Sequence, residues 1–346
     1  MFVRWDNLKP SRSTALPLPG TSADAVIRTF DAPEAVGIRF HEVEARSAIN
    51  AVPPMSFVDF RHTINPYRGC SHACVYCFAR PTHEYLDLNA REDFEREIVV
   101  KVNLPEVLRA ELRRPSWKGE HVALGTNTDP YQWAEGRYRI TRGIWEQMLA
   151  ARNPCSVLTK SPLLLRDLDL FRALAERTQF AANLSIPTLD RRAWRASEPG
   201  TPSPRKRIEA VAELRAAGIE TGVLIAPLMP GINDSPAQVN EILELCGEAG
   251  ANSISGVGLH LRGEVRAIYM DWLRQYRPDL LPRYEELYAG GATLPRAERQ
   301  RISRLVGSRR SPGATTRRAA PFRRASDRQP TPAPDAPESG ETQRLF

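Results

Sequence analysis

At 346 residues, with 42% hydrophobic and 26% charged residues, the chain has the make-up of a soluble globular protein with one large domain and tails. Its longest apolar runs, such as Val223–Pro230, are too short to cross a bilayer. Arg4, Trp5, Asp6 and Lys9 stand where a signal peptide would need an apolar core, so a cytoplasmic protein is expected, with no membrane partner. The net charge of +7 suggests nucleic acid until it is located. Ten arginines from Arg299 to Arg328 against Asp327 carry +9, residues 331–346 carry −2, and residues 1–298 are formally neutral.

In chain order, residues 1–56 mix Pro, Gly and Ser with short apolar pieces and read as an irregular lead-in or a small flap. Residues 57–290 alternate short apolar runs with helical stretches. A strand over about residues 58–64 precedes a cysteine loop. Further strands are expected at His121–Gly125, Cys155–Thr159, Phe180–Ile186, Thr221–Pro227 and Asn252–Leu261. Helices are expected at Thr141–Arg152, Leu163–Arg177, Ser203–Ala217 and Ser235–Ala249. The last two each open on Ser-Pro and end before a glycine, a cap and stop of ordinary chemistry. Two closing helices follow at Glu264–Gln275 and Leu281–Ala289. Strands joined in series by helices imply parallel β/α units. Six steps are too few for a closed eightfold barrel and fit an open (β/α)6 partial barrel, with a doubly wound sheet as the rival α/β arrangement. Residues 291–346 form a basic tail. Beyond Gly307 it has almost no large apolar residue to offset its ordering entropy, so it is expected to be largely disordered.

Five cysteines, an odd number with three inside eight residues, make a poor disulfide framework and point to metal or redox chemistry. The stretch Asn65–Arg80 reads NPYRGCSHACVYCFAR, with Cys70, Cys74 and Cys77 spaced C-x3-C-x2-C in a loop after the first strand. Three thiolates on one loop suit an iron–sulfur cubane and leave one iron without a protein ligand, which is a catalytic rather than an electron-carrying arrangement. Two other readings compete. One is a zinc site completed by His72 or His83, although zinc loops favour paired C-x2-C units. The other is an electron-transfer cluster with Cys155 or Cys246 as a distant fourth ligand. Both of those cysteines lie in apolar stretches and read more simply as small buried hydrophobes.

The motif C-x3-C-x-aromatic-C after the first strand of a partial barrel resembles the signature of the radical S-adenosylmethionine superfamily, over about residues 57–262. The resemblance implies a [4Fe–4S] cluster on Cys70, Cys74 and Cys77 whose open iron is chelated by S-adenosylmethionine. It also implies an electron donor of flavodoxin or ferredoxin type. Reductive cleavage of the sulfonium would give a 5′-deoxyadenosyl radical that abstracts a substrate hydrogen. Tyr76 takes the aromatic position beside the adenine. More of the chain resembles the spore photoproduct lyase-like branch, also called DNA repair photolyase-like. In that branch Thr128 and Asp129 of GTNTDPYQ would lie near the methionine end and ribose, Lys160 would face the cofactor carboxylate, and Ser185 would contact the cofactor. Polar residues at the carboxyl ends of successive strands do all face one mouth. Where that branch carries a hydrogen-donating cysteine, this chain has Thr126, whose O–H bond is too strong to give up a hydrogen atom readily.

The implied activity is therefore radical chemistry on an unidentified substrate, with nucleic acid or a nucleotide the leading class and lyase-like chemistry one form of it. No catalytic residue is assigned. A nucleic-acid-binding or sensor protein with a structural or redox-sensing metal site is the reading from another class. Arg68, His72, Arg80 and His83 could bind an anionic substrate or pair with Glu84 and the acidic run Glu92–Glu97. Tyr131 and Trp133 read as packing residues before pocket residues. The Arg-rich tail could hold nucleic acid through its phosphates. A monomer is expected.

Overall fold

The computed structural model describes residues 10–15, 26–53, 58 and 60–307. Among the described residues twelve strands run in chain order. They are β1 (Pro10–Ala15), β2 (Val26–Phe30), β3 (Arg39–Val43), β4 (Ile49–Ala51), β5 (His62–Ile64), β6 (Tyr67–Arg68), β7 (Glu97–Lys101), β8 (Val122–Leu124), β9 (Cys155–Thr159), β10 (Phe180–Ser185), β11 (Thr221–Leu228) and β12 (Ser253–Gly258). The larger sheet has the order β12-β11-β10-β9-β8-β5-β4. Its six strands from β5 to β12 are parallel, and β4 closes one edge antiparallel. A doubly wound sheet reverses its strand order at a switch point. Here the order is consecutive and the two ends of the sheet do not pair, which makes an open partial barrel of six β/α steps.

Both faces of these strands are covered, so Val122, Leu124, Val157, Leu184, Val223 and Ile225 are all sealed from solvent. The helices begin where the sequence signals them. The Ser203 and Ser235 hydroxyls accept from the N–H groups of Lys206 and Gln238, both at 3.3 Å, and open the helices Pro204–Ala216 and Pro236–Glu248. The helix Glu264–Tyr276 and the short Leu281–Leu287 follow the last strand.

Two boundaries differ from the sequence expectation. The lead-in is not irregular over residues 26–51. Strands β1, β2 and β3 join β7 and β6 in a second sheet of order β1-β2-β3-β7-β6. In it β3 runs parallel to β7 with Arg39 opposite Glu97, and Phe30 and Phe40 pack with Trp133 and Tyr138 beneath it. The pairing joins segments 58 residues apart, so no local pattern announces it. At the other end, residues Arg296–Gly307 form a helix rather than the start of a tail. Its buried Ile302 and Val306 lie over β12, where Gly256 and Gly258 leave the room; a Cβ on Gly256 would stand 2.5 Å from Val306 Cγ2. The basic stretch expected to be disordered, residues 308–346, lies outside the described residues.

Candidate functional site

The chain leaves β5 of the barrel, turns at Asn65-Pro66 into β6 of the second sheet, and starts the cysteine loop there. Gly69 is needed at that junction. Its φ is +80°, and a Cβ would stand 2.8 Å from Phe94 O and 2.9 Å from His83 Cε1 and Ile98 Cδ1. The loop then folds in tight turns: Ala73 N–H donates to Cys70 O, Cys77 N–H to Cys74 O and Arg80 N–H to Cys77 O. Buried Arg80 buckles it from below. Its guanidinium donates to Cys74 O at 3.0 Å, Ala73 O at 3.3 Å, Ala90 O at 3.1 Å and Arg91 O at 3.0 Å, pairs with Glu95, and sits over the Phe94 ring. Burial raises all three thiols above the ordinary cysteine range. Bound iron would hold them as thiolates.

One side of this loop is held by hydrogen bonds from the turn after β8. Thr128 Oγ1 donates to Gly69 O at 2.7 Å and Gln132 Nε2 to the same oxygen at 3.1 Å. Gln132 Nε2 also donates to Thr128 Oγ1, and Gln132 Oε1 accepts from Ser71 N–H at 2.9 Å. Asp129 bridges to the next strand end, accepting from Thr159 Oγ1 at 2.5 Å and Lys160 N–H at 2.8 Å, with His72 Nδ1 3.3 Å away. Burial alone would raise the Asp129 carboxyl, but the His72 charge and these hydrogen bonds bring it down to about 2. Thr126 Oγ1 and Asn127 N–H donate to Asn65 Oδ1 at 3.2 and 3.0 Å.

The other side is ionic. Lys160 Nζ, at the carboxyl end of β9, donates to Ser185 Oγ at 2.6 Å at the end of β10, lies 3.2 Å from Glu198 Oε1, and stands 5.7 Å over the Tyr76 ring. The Tyr76 hydroxyl donates to the same carboxylate. Arg207, fully buried, closes the set: one nitrogen donates to Glu198 Oε2 at 2.7 Å and another to Ser185 O at 2.9 Å. Burial would raise the Glu198 carboxyl, yet the charges of Arg207 and Lys160 and the Tyr76 hydroxyl lower it to about 2. The segment carrying Glu198 touches the cysteine loop directly. Val75 N–H donates to Ser197 O at 3.0 Å, Gly200 N–H to His72 O at 3.1 Å, and a Cβ on Gly200 would stand 2.1 Å from Ser71 O.

Comparison with known proteins decides the family. The Radical SAM superfamily pattern matches residues 64–246, which spans the cysteine loop and the strand ends just described. The chain belongs to the radical SAM superfamily. The uncharacterized protein Rv2578c of Mycobacterium tuberculosis is 45% identical over 315 residues, covering 91% of this chain and 90% of the relative. The uncharacterized protein MJ0683 of Methanocaldococcus jannaschii is 30% identical over 197 residues, covering 57% and 70%. Among solved structures, spore photoproduct lyase complexed with dinucleoside spore photoproduct superposes with a TM-score of 0.59 at 16% identity over 80% of each chain. A mutant of that lyase with bound AdoMet and dinucleoside spore photoproduct gives 0.59 at 16% over 79% of each. These likenesses show the shared fold. As a radical SAM enzyme the protein uses a [4Fe–4S] cluster and S-adenosylmethionine, and it requires an electron donor.

The residues present fit these cofactors. The three thiols sit on one glycine-started loop within electrostatic reach of one another. A cubane takes each thiolate on a different iron. Both histidines of the zinc reading have protein partners. His83 is buried with Nε2 2.9 Å from Glu97 O, and His72 faces Asp129. Cys155, which opens β9, and Cys246, inside a helix, are buried free thiols.

Of the residues singled out from sequence, Tyr76 and Lys160 meet on the Glu198 carboxylate, and Ser185 joins them by accepting from Lys160. Thr128 and Asp129 are placed differently. Their polar atoms are already bonded to protein, holding the cysteine loop and the end of β9. Arg80 and His83 serve the loop's own structure, and Arg68 makes no hydrogen bond or ion pair among the described residues. Tyr131 and Trp133 are packing residues: the Tyr131 hydroxyl donates to Asp167 and accepts from Trp145 Nε1, and Trp133 lies against Phe30. Sequence reasoning missed Glu198, Arg207 and Gln132. Charged residues in helices and loops read as solvated, and only the tertiary fold seals the first two completely.

Proposed function

We propose that Cys70, Cys74 and Cys77 carry the [4Fe–4S] cluster and that Tyr76, Lys160 and Ser185 line the S-adenosylmethionine side of it. The supporting observation is that Tyr76 and Lys160 meet on Glu198, with Ser185 holding the same ammonium, next to Cys74, whose thiol feels the Glu198 and Lys160 charges. Bound there, the cluster and S-adenosylmethionine supply one-electron cleavage to a 5′-deoxyadenosyl radical that takes a hydrogen atom from the substrate. The chain's own share is binding, orientation and exclusion of water. Lys160 offers an ammonium, held at the mouth by Ser185 and Glu198, to the cofactor carboxylate. Thr128, Gln132 and Asp129 act as positioning residues that fix the height of the cysteine loop and the end of β9.

The substrate in this reading is a nucleic acid or nucleotide. Support comes from the fold shared with a lyase solved with a dinucleoside. Thr126, bonded to Asn65, takes the place of a thiol hydrogen donor, so the outcome differs from that lyase's. A flavodoxin- or ferredoxin-type protein would deliver the electron, and the five free thiols fit a reducing compartment such as the cytoplasm. Among the described residues no helix is long and apolar enough to cross a membrane. The test is anaerobic reconstitution, dithionite reduction and chromatography for 5′-deoxyadenosine. The nucleoside should form and be lost in Cys70→Ala; no release above that control would defeat the proposal. Added oligonucleotide should accelerate the release.

A further inference from the structure

We propose that the helix Arg191–Ser197 and the end of the helix Glu264–Tyr276 form a docking surface for single-stranded nucleic acid beside the cysteine loop. The surface is an open depression of about 640 Å3 lined by Arg191, Arg192, Arg195, Ala196 and Tyr276. The three arginines are exposed, and among the described residues none is in an ion pair. Some surface arginines elsewhere are paired, Arg142 with Asp169, Arg205 with Glu241 and Arg277 with Asp279, while among the described residues others, such as Arg109, Arg172 and Arg177, are not. What marks the patch is three unpaired arginines together with aromatic rings. Three like charges within five residues repel one another, and a polyanion relieves that repulsion.

Aromatic faces lie among the cations. The Arg192 guanidinium stands 5.6 Å over the Tyr276 ring and that of Arg195 4.1 Å over the Trp194 ring. Tyr276 in turn stacks on Trp272, with centroids 4.9 Å apart and planes 17° apart. A guanidinium resting on a ring is held flat with its N–H edge outward, the geometry that grips a phosphate by two bonds. With Trp272 stacked on the Tyr276 ring and Arg192 over it, a base finds its stacking surface on the layered guanidinium. An acidic peptide would use the charge and leave the rings idle. A nucleic acid strand uses both.

The surface is tied to the site. Ser197 O accepts from Val75 N–H in the cysteine loop, and Trp272 Nε1 donates to Ala196 O at 2.9 Å. Glu198, at the end of the arginine helix, carries the ion network at Lys160. A strand seated on the arginines therefore rests on the helix whose end carries Glu198 and contacts the cysteine loop. This inference rests on the nucleic-acid reading of the substrate given above.

The experiment is fluorescence anisotropy of a labelled oligothymidylate with the reconstituted full-length protein. The partners are a triple variant, Arg191→Gln with Arg192→Gln and Arg195→Gln, and a variant with the arginines from Arg309 to Arg328 changed to Gln. The patch variant should bind at least about tenfold more weakly and lose about 2 from the slope of log affinity against log salt, as expected for three phosphate contacts on a single strand. Tyr276→Ala should weaken binding with the slope unchanged, and Tyr276→Phe should restore it. Wild-type affinity in the patch variant, or polyglutamate bound as tightly as the oligonucleotide, would overturn the surface. If that variant binds normally while oligonucleotide still accelerates 5′-deoxyadenosine release, the surface is wrong and the substrate reading stands. If binding depends on the arginines but release is not accelerated, the surface stands and the substrate reading falls.

Discussion

The two sides of the cysteine loop are held by different physics. Towards β5 and β8, beside the His72–Asp129 pair, the contacts are hydrogen bonds to backbone from Thr128, Gln132 and Lys101, and among the described residues no carboxylate pairs with Lys101. Towards β9 and β10 they are charges, with Glu198 shared by Lys160, Arg207 and the Tyr76 hydroxyl. The first arrangement fixes shape, because a backbone carbonyl accepts only along certain directions. The second fixes shape and sets the potential at the mouth where an anionic cofactor group would arrive. The two half-buried lysines mark the contrast. Lys160 has a carboxylate and a hydroxyl. Lys101 has the carbonyl of Asn65 at 2.8 Å and the repelling charge of Arg68.

The sharpest way to break this contrast is Glu198→Gln. It leaves the sealed Arg207 guanidinium without its counter-charge, and breaking such a pair costs about 3–5 kcal/mol. Denaturation under anaerobic conditions should show that loss. Lys160→Met should cost far less stability, because Glu198 keeps Arg207, while weakening S-adenosylmethionine binding by about tenfold if the ammonium meets its carboxylate. Equal stability losses in the two variants would show that the network has no directional core.

Lys101 tests the other side, with the opposite sign. Burial first, and then the Arg68 charge, lower its ammonium to about 8. From pH 8 up to the unfolded value of about 10.5 the native state binds fewer protons than the unfolded chain, so stability rises with pH across that window. Below pH 8 the full penalty is present. Lys101→Met should therefore stabilise the protein by about 3 kcal/mol at pH 7. The difference between the two proteins should shrink as pH climbs from 8 towards 10.5. A variant less stable than the parent at pH 7 would show that Asn65 O depends on the ammonium.

How legible each side was follows from the same distinction. The cysteine loop, the six strands and the Ser-Pro helix starts are local patterns, and Lys160 and Ser185 were legible because they end apolar strands. The second sheet was not. Its strands are short, and β3 meets β7 only after the chain has passed through the barrel's first strand. Arg207 looks like an ordinary helix-surface charge and Glu198 like a loop charge until the turn at Gly200 packs against the cysteine loop and the two pair in the interior. Gln132 lies beside the Thr-Asp pair that drew attention, yet nothing local shows that its amide reaches both Gly69 O and Ser71 N–H.

That amide gives the smallest and most discriminating test. Gln132→Leu leaves Ser71 N–H and part of Gly69 O without partners in a buried place, a loss of about 1–3 kcal/mol. Thr128→Val keeps the shape and removes one donor to Gly69 O, for about 0.5–1.5 kcal/mol. The two side chains also bond each other at 2.9 Å and share one acceptor, so their effects should not add. Once Gln132 is gone, Thr128 is the last side chain on Gly69 O, and its removal should then cost about 1 kcal/mol more than in the parent. A denaturation cycle over the four proteins measures that coupling. Simple additivity would mean that the cysteine loop is held by its own turns and by Arg80, with the β8 side merely resting against it.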